Sequence, residues 1–171
     1  MAETPSTEIP AKQSKLREIL NRDHVRAAIL IITIIGGVLT LWFGIRAVLR
    51  TEYPFMAVAS PSMTPTLKTG DLIVVQGYVD PSTIVADPKE GDILVFWHWE
   101  ESRGLEHWVH RAVGKVTVNG KIYIQTKGDA NSGNDYHYNI TTQHISDRLP
   151  GLPEEYVIGR VVANVPVIGP V

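Results

Sequence analysis

An uncharged stretch of 19 residues, 27–45, sets the first boundary on this chain. Ile, Leu and Val dominate it, and Arg26 and Arg46 close its two ends. A helix of that length rises about 1.5 Å per residue and runs roughly 28 Å, the thickness of a bilayer's hydrocarbon core. Trp42 and Phe43 sit near one end, where aromatic side chains meet lipid headgroups. A cleaved leader would have a shorter apolar run followed directly by an Ala-x-Ala-like site, and no such site follows here. The expectation is one transmembrane helix over residues 25–48. Lys12, Lys15, Arg17, Arg22 and Arg26 precede it, against Arg46 and Arg50 after it. Positive-inside counting therefore puts residues 1–24 in the cytoplasm and residues 49–171 outside. Within the tail, residues 1–14 have little to bury and are expected to be disordered. Residues 15–26 mix charge with Leu16, Ile19, Leu20 and Val25, as a helix at the membrane surface does, or one leading into the span.

What remains is long enough for one domain. A net charge of −2 gives no basic surface for a nucleic-acid partner, and the absence of cysteine excludes disulfides and thiolate metal sites. Residues 72–75, 93–97, 108–113, 116–118, 122–124 and 157–165 are short β-branched or aromatic runs punctuated by Gly, Pro, Asp and Asn. Asn119-Gly120 between two of them predicts a two-residue type I′ hairpin. Gly70-Asp71 and Gly91-Asp92 each precede an apolar run and mark strand entries. With no alternation of strands and helices, the fold class is mainly β and antiparallel. Residues 129–155 are polar and rich in turn formers, as a long loop would be. Residues 161–171 are apolar but interrupted by Pro166 and Pro170.

Ser62 lies in Ala59-Ser60-Pro61-Ser62-Met63-Thr64-Pro65-Thr66-Leu67. Its flanking prolines predict a stiff, non-helical turn that holds the hydroxyl in one direction. A nucleophilic serine requires a base in hydrogen-bond reach and usually a group orienting that base. Strand alternation puts His110 with Trp108 and Ala112 on one face, and His107 with Val109 and Arg111 on the other. Either histidine is equally explained as a packed strand residue, and Lys115 and Lys127 are lysine alternatives. Asp129 and Asp135, in a Gly/Asn-rich loop, are candidate orienting acids or plain turn formers. His98, His107 and His110 lack a metal-ligand spacing, so neither metal nor cofactor is expected.

Taken in order, these motifs resemble the type I signal peptidases, in the branch shared by archaea and the endoplasmic reticulum. The likeness covers about residues 56–159. Ser60-Pro61-Ser62-Met63 with Pro65-Thr66-Leu67 and Gly70-Asp71 resembles the family's nucleophile box. Gly91-Asp92-Ile93-Leu94-Val95-Phe96 resembles its second strand box. His110-Arg111-Ala112-Val113-Gly114 resembles the box where the bacterial branch carries Lys-Arg, and Lys127-Gly128-Asp129 with Asp135 resembles the acidic box. The resemblance implies a membrane-bound serine endopeptidase with a LexA-like antiparallel β-domain, removing signal peptides after small residues. It implies Ser62 as nucleophile, His110 as general base, and Asp135 or Asp129 as its support. The Ser60 hydroxyl with the Ser62 backbone N–H would form the oxyanion hole.

Met56, Val58 and Met63 are candidate substrate contacts, with the preprotein entering as an added strand beside residues 55–59. The implied partners are preprotein signal peptides, the lipid bilayer, and the secretion channel or accessory subunits. The implied location is the cell membrane, or the endoplasmic-reticulum membrane in a eukaryote. A different class of reading is an inactive membrane-tethered β-domain that binds partners. Trp97, Trp99 and Trp108 are either strand-face packing or an apolar rim dipping into lipid, and Asn139-Ile140-Thr141 is a glycosylation sequon.

Overall fold

The computed structural model describes residues 23–77 and 79–166. The expectations for residues 1–22 and 167–171 lie outside these. The chain divides into two compact units, one ending at Gly44 and the other Ile45–Val171.

Helix α1, Asp23–Leu49, has 27 residues, none of them buried. It overruns the predicted span by a turn or less at each end. It is apolar all round, and it is long and apolar enough to cross a membrane. Its two hydroxyls need no outside partner. Thr33 Oγ1 donates to the Ile29 carbonyl at 2.8 Å and Thr40 Oγ1 to the Gly36 carbonyl at 2.7 Å.

The second unit is built on a seven-stranded antiparallel sheet. In chain order its strands are β1 (Phe55–Ala57), β2 (Leu72–Gln76), β3 (Ile93–Glu100), β4 (Gly104–Val118), β5 (Lys121–Lys127), β8 (Leu152–Pro153) and β9 (Val157–Val165). Their spatial order is β1-β2-β9-β3-β4-β5-β8. A separate pair, β6 (His137–Tyr138) and β7 (Arg148–Leu149), completes the set. Both Gly-Asp pairs stand immediately before a strand, β2 and β3, as predicted.

Strand β3 explains why its run is apolar without a break. Leu94 and Phe96 enter a cluster with Ala112, Ile124, Leu152 and Tyr156, while Val95 enters a second with Val58, Met63, Ile73 and Val75. A strand buried on both faces has no solvent side to alternate with. Burying Phe96 alone contributes about 1.5–3 kcal/mol.

The β4–β5 turn is the predicted hairpin: Asn119 has φ 52°, Gly120 φ 78°, and Val118 faces Lys121 directly. Two runs expected as separate strands are one, β4, joined through a register shift between Ala112 and Gly114. The 129–155 loop also differs from expectation. It holds β6, β7 and β8, and a single turn of 3-10 helix, Glu154–Tyr156. Two-residue strands carry no periodic pattern of their own. They form because β6 and β7 find each other and because Leu152 and Pro153 dock on the edge of β5. Pro153, lacking an amide donor, is tolerated at that outermost position.

Candidate active site

Ser62 sits in one turn of 3-10 helix, Pro61–Met63, rather than in a non-helical turn. Pro61 occupies the opening position, where a missing amide hydrogen costs nothing, and the Thr64 N–H closes the turn on the Pro61 carbonyl at 3.0 Å. Met63 is 1% exposed and anchors the turn in the second core cluster. The loop is then clasped behind Ser62. Val58 N–H donates to the Asp71 carbonyl at 2.9 Å, Gly70 N–H to the Val58 carbonyl at 2.8 Å, and Lys68 N–H to the buried Asp71 carboxylate at 2.9 Å.

Strand β4 brings His110 to this turn. Its Nε2 lies 3.1 Å from Ser62 Oγ, and its Nδ1 lies 2.6 Å from Asp135 Oδ2. A carboxylate only accepts, so Nδ1 carries the hydrogen and the Nε2 lone pair faces the serine hydroxyl. Both side chains are almost fully buried, 5% exposed for His110 and 4% for Asp135. Burial pushes the Asp135 carboxyl up, but the His110 hydrogen bond and charge and the Thr126 hydroxyl outweigh it, holding it below the usual carboxylate range. Ser60 Oγ is 3.0 Å from Ser62 Oγ.

The other acid of the loop has a different partner. Asp129 takes Arg111 in a two-pronged pair, Nε to Oδ1 at 2.8 Å and Nη2 to Oδ2 at 2.6 Å, and also accepts from the Thr66 hydroxyl at 2.5 Å. Burial raises its carboxyl, and Arg111 and Thr66 bring it below the ordinary value; His110 contributes only through charge. Arg111 also donates to the Gly91 carbonyl at 2.8 Å. Asp129 thus ties the Ser62 loop, β4 and the acidic loop together. The backbone strengthens that tie, with Ala130 N–H donating to the Ser62 carbonyl at 2.9 Å. A Cβ on Gly128 would stand 2.7 Å from the same carbonyl oxygen, so only glycine admits this approach.

A cleft of about 270 Å³ opens beside Ser62, and Met56, Val58 and Met63 all line it. Val109, Trp108 and Asn131 line it too and escaped sequence reasoning, because Trp108 and Val109 reach it through sheet pairing and Asn131 through the loop contact of Ala130 with Ser62. A larger depression of about 520 Å³ beside Arg111 and Asp129 contains none of Ser62, His110 and Asp135. The remaining strand histidines pack against aromatic rings: His98 stacks on Trp108 at 3.7 Å and His107 meets Trp97 at 4.0 Å. Burial lowers the affinity of both for a proton. Trp99 is only 9% exposed, and with its neighbours it serves as strand-face packing. Lys115 Nζ, the lysine alternative on β4, bonds the Ser82 carbonyl at 3.1 Å instead of the serine.

The model of the family described as "Signal peptidase, peptidase S26" matches residues 25–162. The signal peptidase complex catalytic subunit SEC11 of Colletotrichum graminicola is 30% identical over 137 residues, covering 80% of this chain and 72% of that protein. The SEC11 subunit of Pyricularia oryzae is 29% identical over the same shares of the two chains, and that of Sclerotinia sclerotiorum 28%.

Proposed function

Because the chain belongs to the signal peptidase S26 family, we propose that it is a membrane-anchored serine endopeptidase that removes signal peptides from preproteins after small residues. The observation that carries this reading is the line from Ser62 Oγ through His110 to Asp135, at 3.1 and 2.6 Å. His110 Nε2 takes the hydroxyl proton as Ser62 Oγ bonds to the scissile carbonyl carbon. The carbonyl π electrons move onto oxygen, facing the Ser62 N–H and the Ser60 hydroxyl. One such donor contributes about 3–4 kcal/mol in the transition state. Collapse of the adduct breaks the C–N bond, and imidazolium returns the proton to the departing amine. Water then attacks the acyl-Ser62 ester by the same route reversed. Asp135 keeps Nδ1 protonated and balances the imidazolium charge.

Substrate enters as an extended strand against β1, the outermost strand of its sheet, which leads directly into Ser60–Ser62. Met56, Val58 and Met63 line the cleft and make the apolar wall that receives the small side chain before the cleavage site. The helix α1 anchors the enzyme with its N-terminus in the cytoplasm, the β-rich unit lies outside, and accessory subunits join it as the names of its relatives suggest.

The test is cleavage of a preprotein by the full chain in detergent. Ser62→Ala and His110→Ala should each lose about a thousandfold or more in kcat/KM, and Asp135→Asn a similar factor, because it leaves the base in the wrong tautomer. Asp129→Asn should cost stability first, through Arg111 left without its pair. If Ser62→Ala cleaves as well as wild type, the peptidase reading is wrong and the β-domain is a binding module.

A further inference from the structure

Behind the Ser62–His110–Asp135 line lies a second layer of polar side chains buried more deeply than the first. Thr126 is 0% exposed and His137 2%. Thr126 Oγ1 lies 2.6 Å from Asp135 Oδ2 and 3.0 Å from His137 Nε2. The hydroxyl owns one hydrogen, and the carboxylate has no hydrogen to offer. That hydrogen therefore points to Asp135, and the hydroxyl lone pair receives the Nε2 hydrogen of His137. His110 Nδ1 and Thr126 Oγ1 thus donate to the same carboxylate oxygen from two sides. The backbone doubles the clasp, since Asp135 N–H donates to the Thr126 carbonyl at 2.8 Å. Phe96 meets the His137 ring edge-on at 5.4 Å and fixes its plane.

We propose that Thr126 and His137 are positioning residues for the reaction: His137 fixes the direction of the Thr126 hydroxyl, and Thr126 holds the Asp135 carboxylate in the rotamer that keeps His110 ready as a base. This rests on the peptidase reading and deepens it. The chain of donation runs His137 to Thr126 to Asp135, and it requires His137 neutral with its hydrogen on Nε2. Burial supplies that condition, lowering His137 to about 4, against the opposing charge of Asp135 and with help from His98 and His110. The groups that face Asp135 are His110, Thr126, His137 and, through charge, His98, and those that face His137 are Asp135, His98 and His110.

Removing the hydroxyl takes one donor from the carboxylate, leaving Asp135 more basic and its hold on a protonated His110 stronger. The acidic limb of the pH profile of kcat/KM should then move to higher pH. Loss of a charge-assisted hydrogen bond should lower kcat about tenfold or more, with KM little changed. The experiment compares the full chain with Thr126→Val, Thr126→Ser, His137→Gln, His137→Ala and Ser62→Ala, using a preprotein substrate across pH 5–9. Expected are a lower kcat and a raised acidic limb for Thr126→Val and recovery of most of both in Thr126→Ser. His137→Gln, which keeps a donor, should exceed His137→Ala.

If folded Thr126→Val matches wild type in kcat and pH profile while Ser62→Ala is dead, the proposal is overturned and the peptidase reading stands. Equal impairment of Thr126→Val and Thr126→Ser overturns it too, because packing alone would then account for the loss. Should Thr126→Val not fold, the His137 pair decides: Gln above Ala supports the chain of donors, and equality overturns it. An active Ser62→Ala removes the peptidase reading, and this proposal with it.

Discussion

At the scale of single residues, His137 links the acid stability of the fold to the site. Its folded-state affinity for a proton is depressed by burial to about 4, below the ordinary value of 6.5. Between those two pH values the unfolded chain binds more protons than the folded one, so stability falls as the pH drops through that window. The contribution is fully present above about 6.5, and its loss by pH 4 is on the order of 3 kcal/mol. His137→Gln cannot titrate, so its melting temperature should decline less than wild type between pH 6.5 and 4. Part of the slope should persist, because burial also lowers His98. Identical slopes for the two proteins would show that His137 protonates without opposing the fold. Ser62 stands out in sequence through its flanking prolines, whereas His110 is singled out from His107 only by the family resemblance. The assignment of partners to Asp129 and Asp135 is not legible there, since the loop between them allows either carboxylate to reach either His110 or Arg111. Arg111 settles the matter by occupying both oxygens of Asp129.

At the scale of elements, the turn carrying Ser62 and the loop carrying the acids are held by one close backbone contact. Ala130 N–H meets the Ser62 carbonyl, and Gly128 leaves the room that this requires. Gly128→Ala would drive a methyl group against backbone that cannot rotate aside. Its kcat should fall about tenfold to a hundredfold as the serine is displaced from His110. Gly133→Ala, where an added Cβ meets nothing within 4 Å, should cleave like wild type. Equal activity of the two variants would show that the contact relaxes without moving Ser62. The strands carrying the site were largely readable: the β4–β5 hairpin announces itself in Asn119-Gly120, and β9 covers the predicted 157–165 run. The elements that escaped, β6, β7 and β8, have two residues each and exist only because of distant partners. Local pattern cannot encode them.

At the scale of the whole molecule, the boundary of the β-rich unit falls before Ile45, within the last turn of α1. Leu49 accepts from Gly77 N–H at 2.8 Å and Pro54 from Val75 N–H at 3.0 Å, so the unit begins earlier than its first strand. A chain starting at Ile45 should melt cooperatively and cleave a soluble peptide. One starting at Phe55 should be less stable by about 2 kcal/mol, the two lost hydrogen bonds at about 1 kcal/mol each. Equal stability of the two fragments would place the boundary nearer the sheet. The sheet order carries one more consequence. Within the sheet, β1 and β2, which flank Ser62, meet β3 and the His110 strand β4 through β9, which pairs with both β2 and β3. A ribosome delivers Ser62 first, His110 next, Asp135 after it and β9 later than all three. Under the proposed function, a chain released before residue 157 would lack the strand that completes the sheet between Ser62 and His110, and it should not cleave.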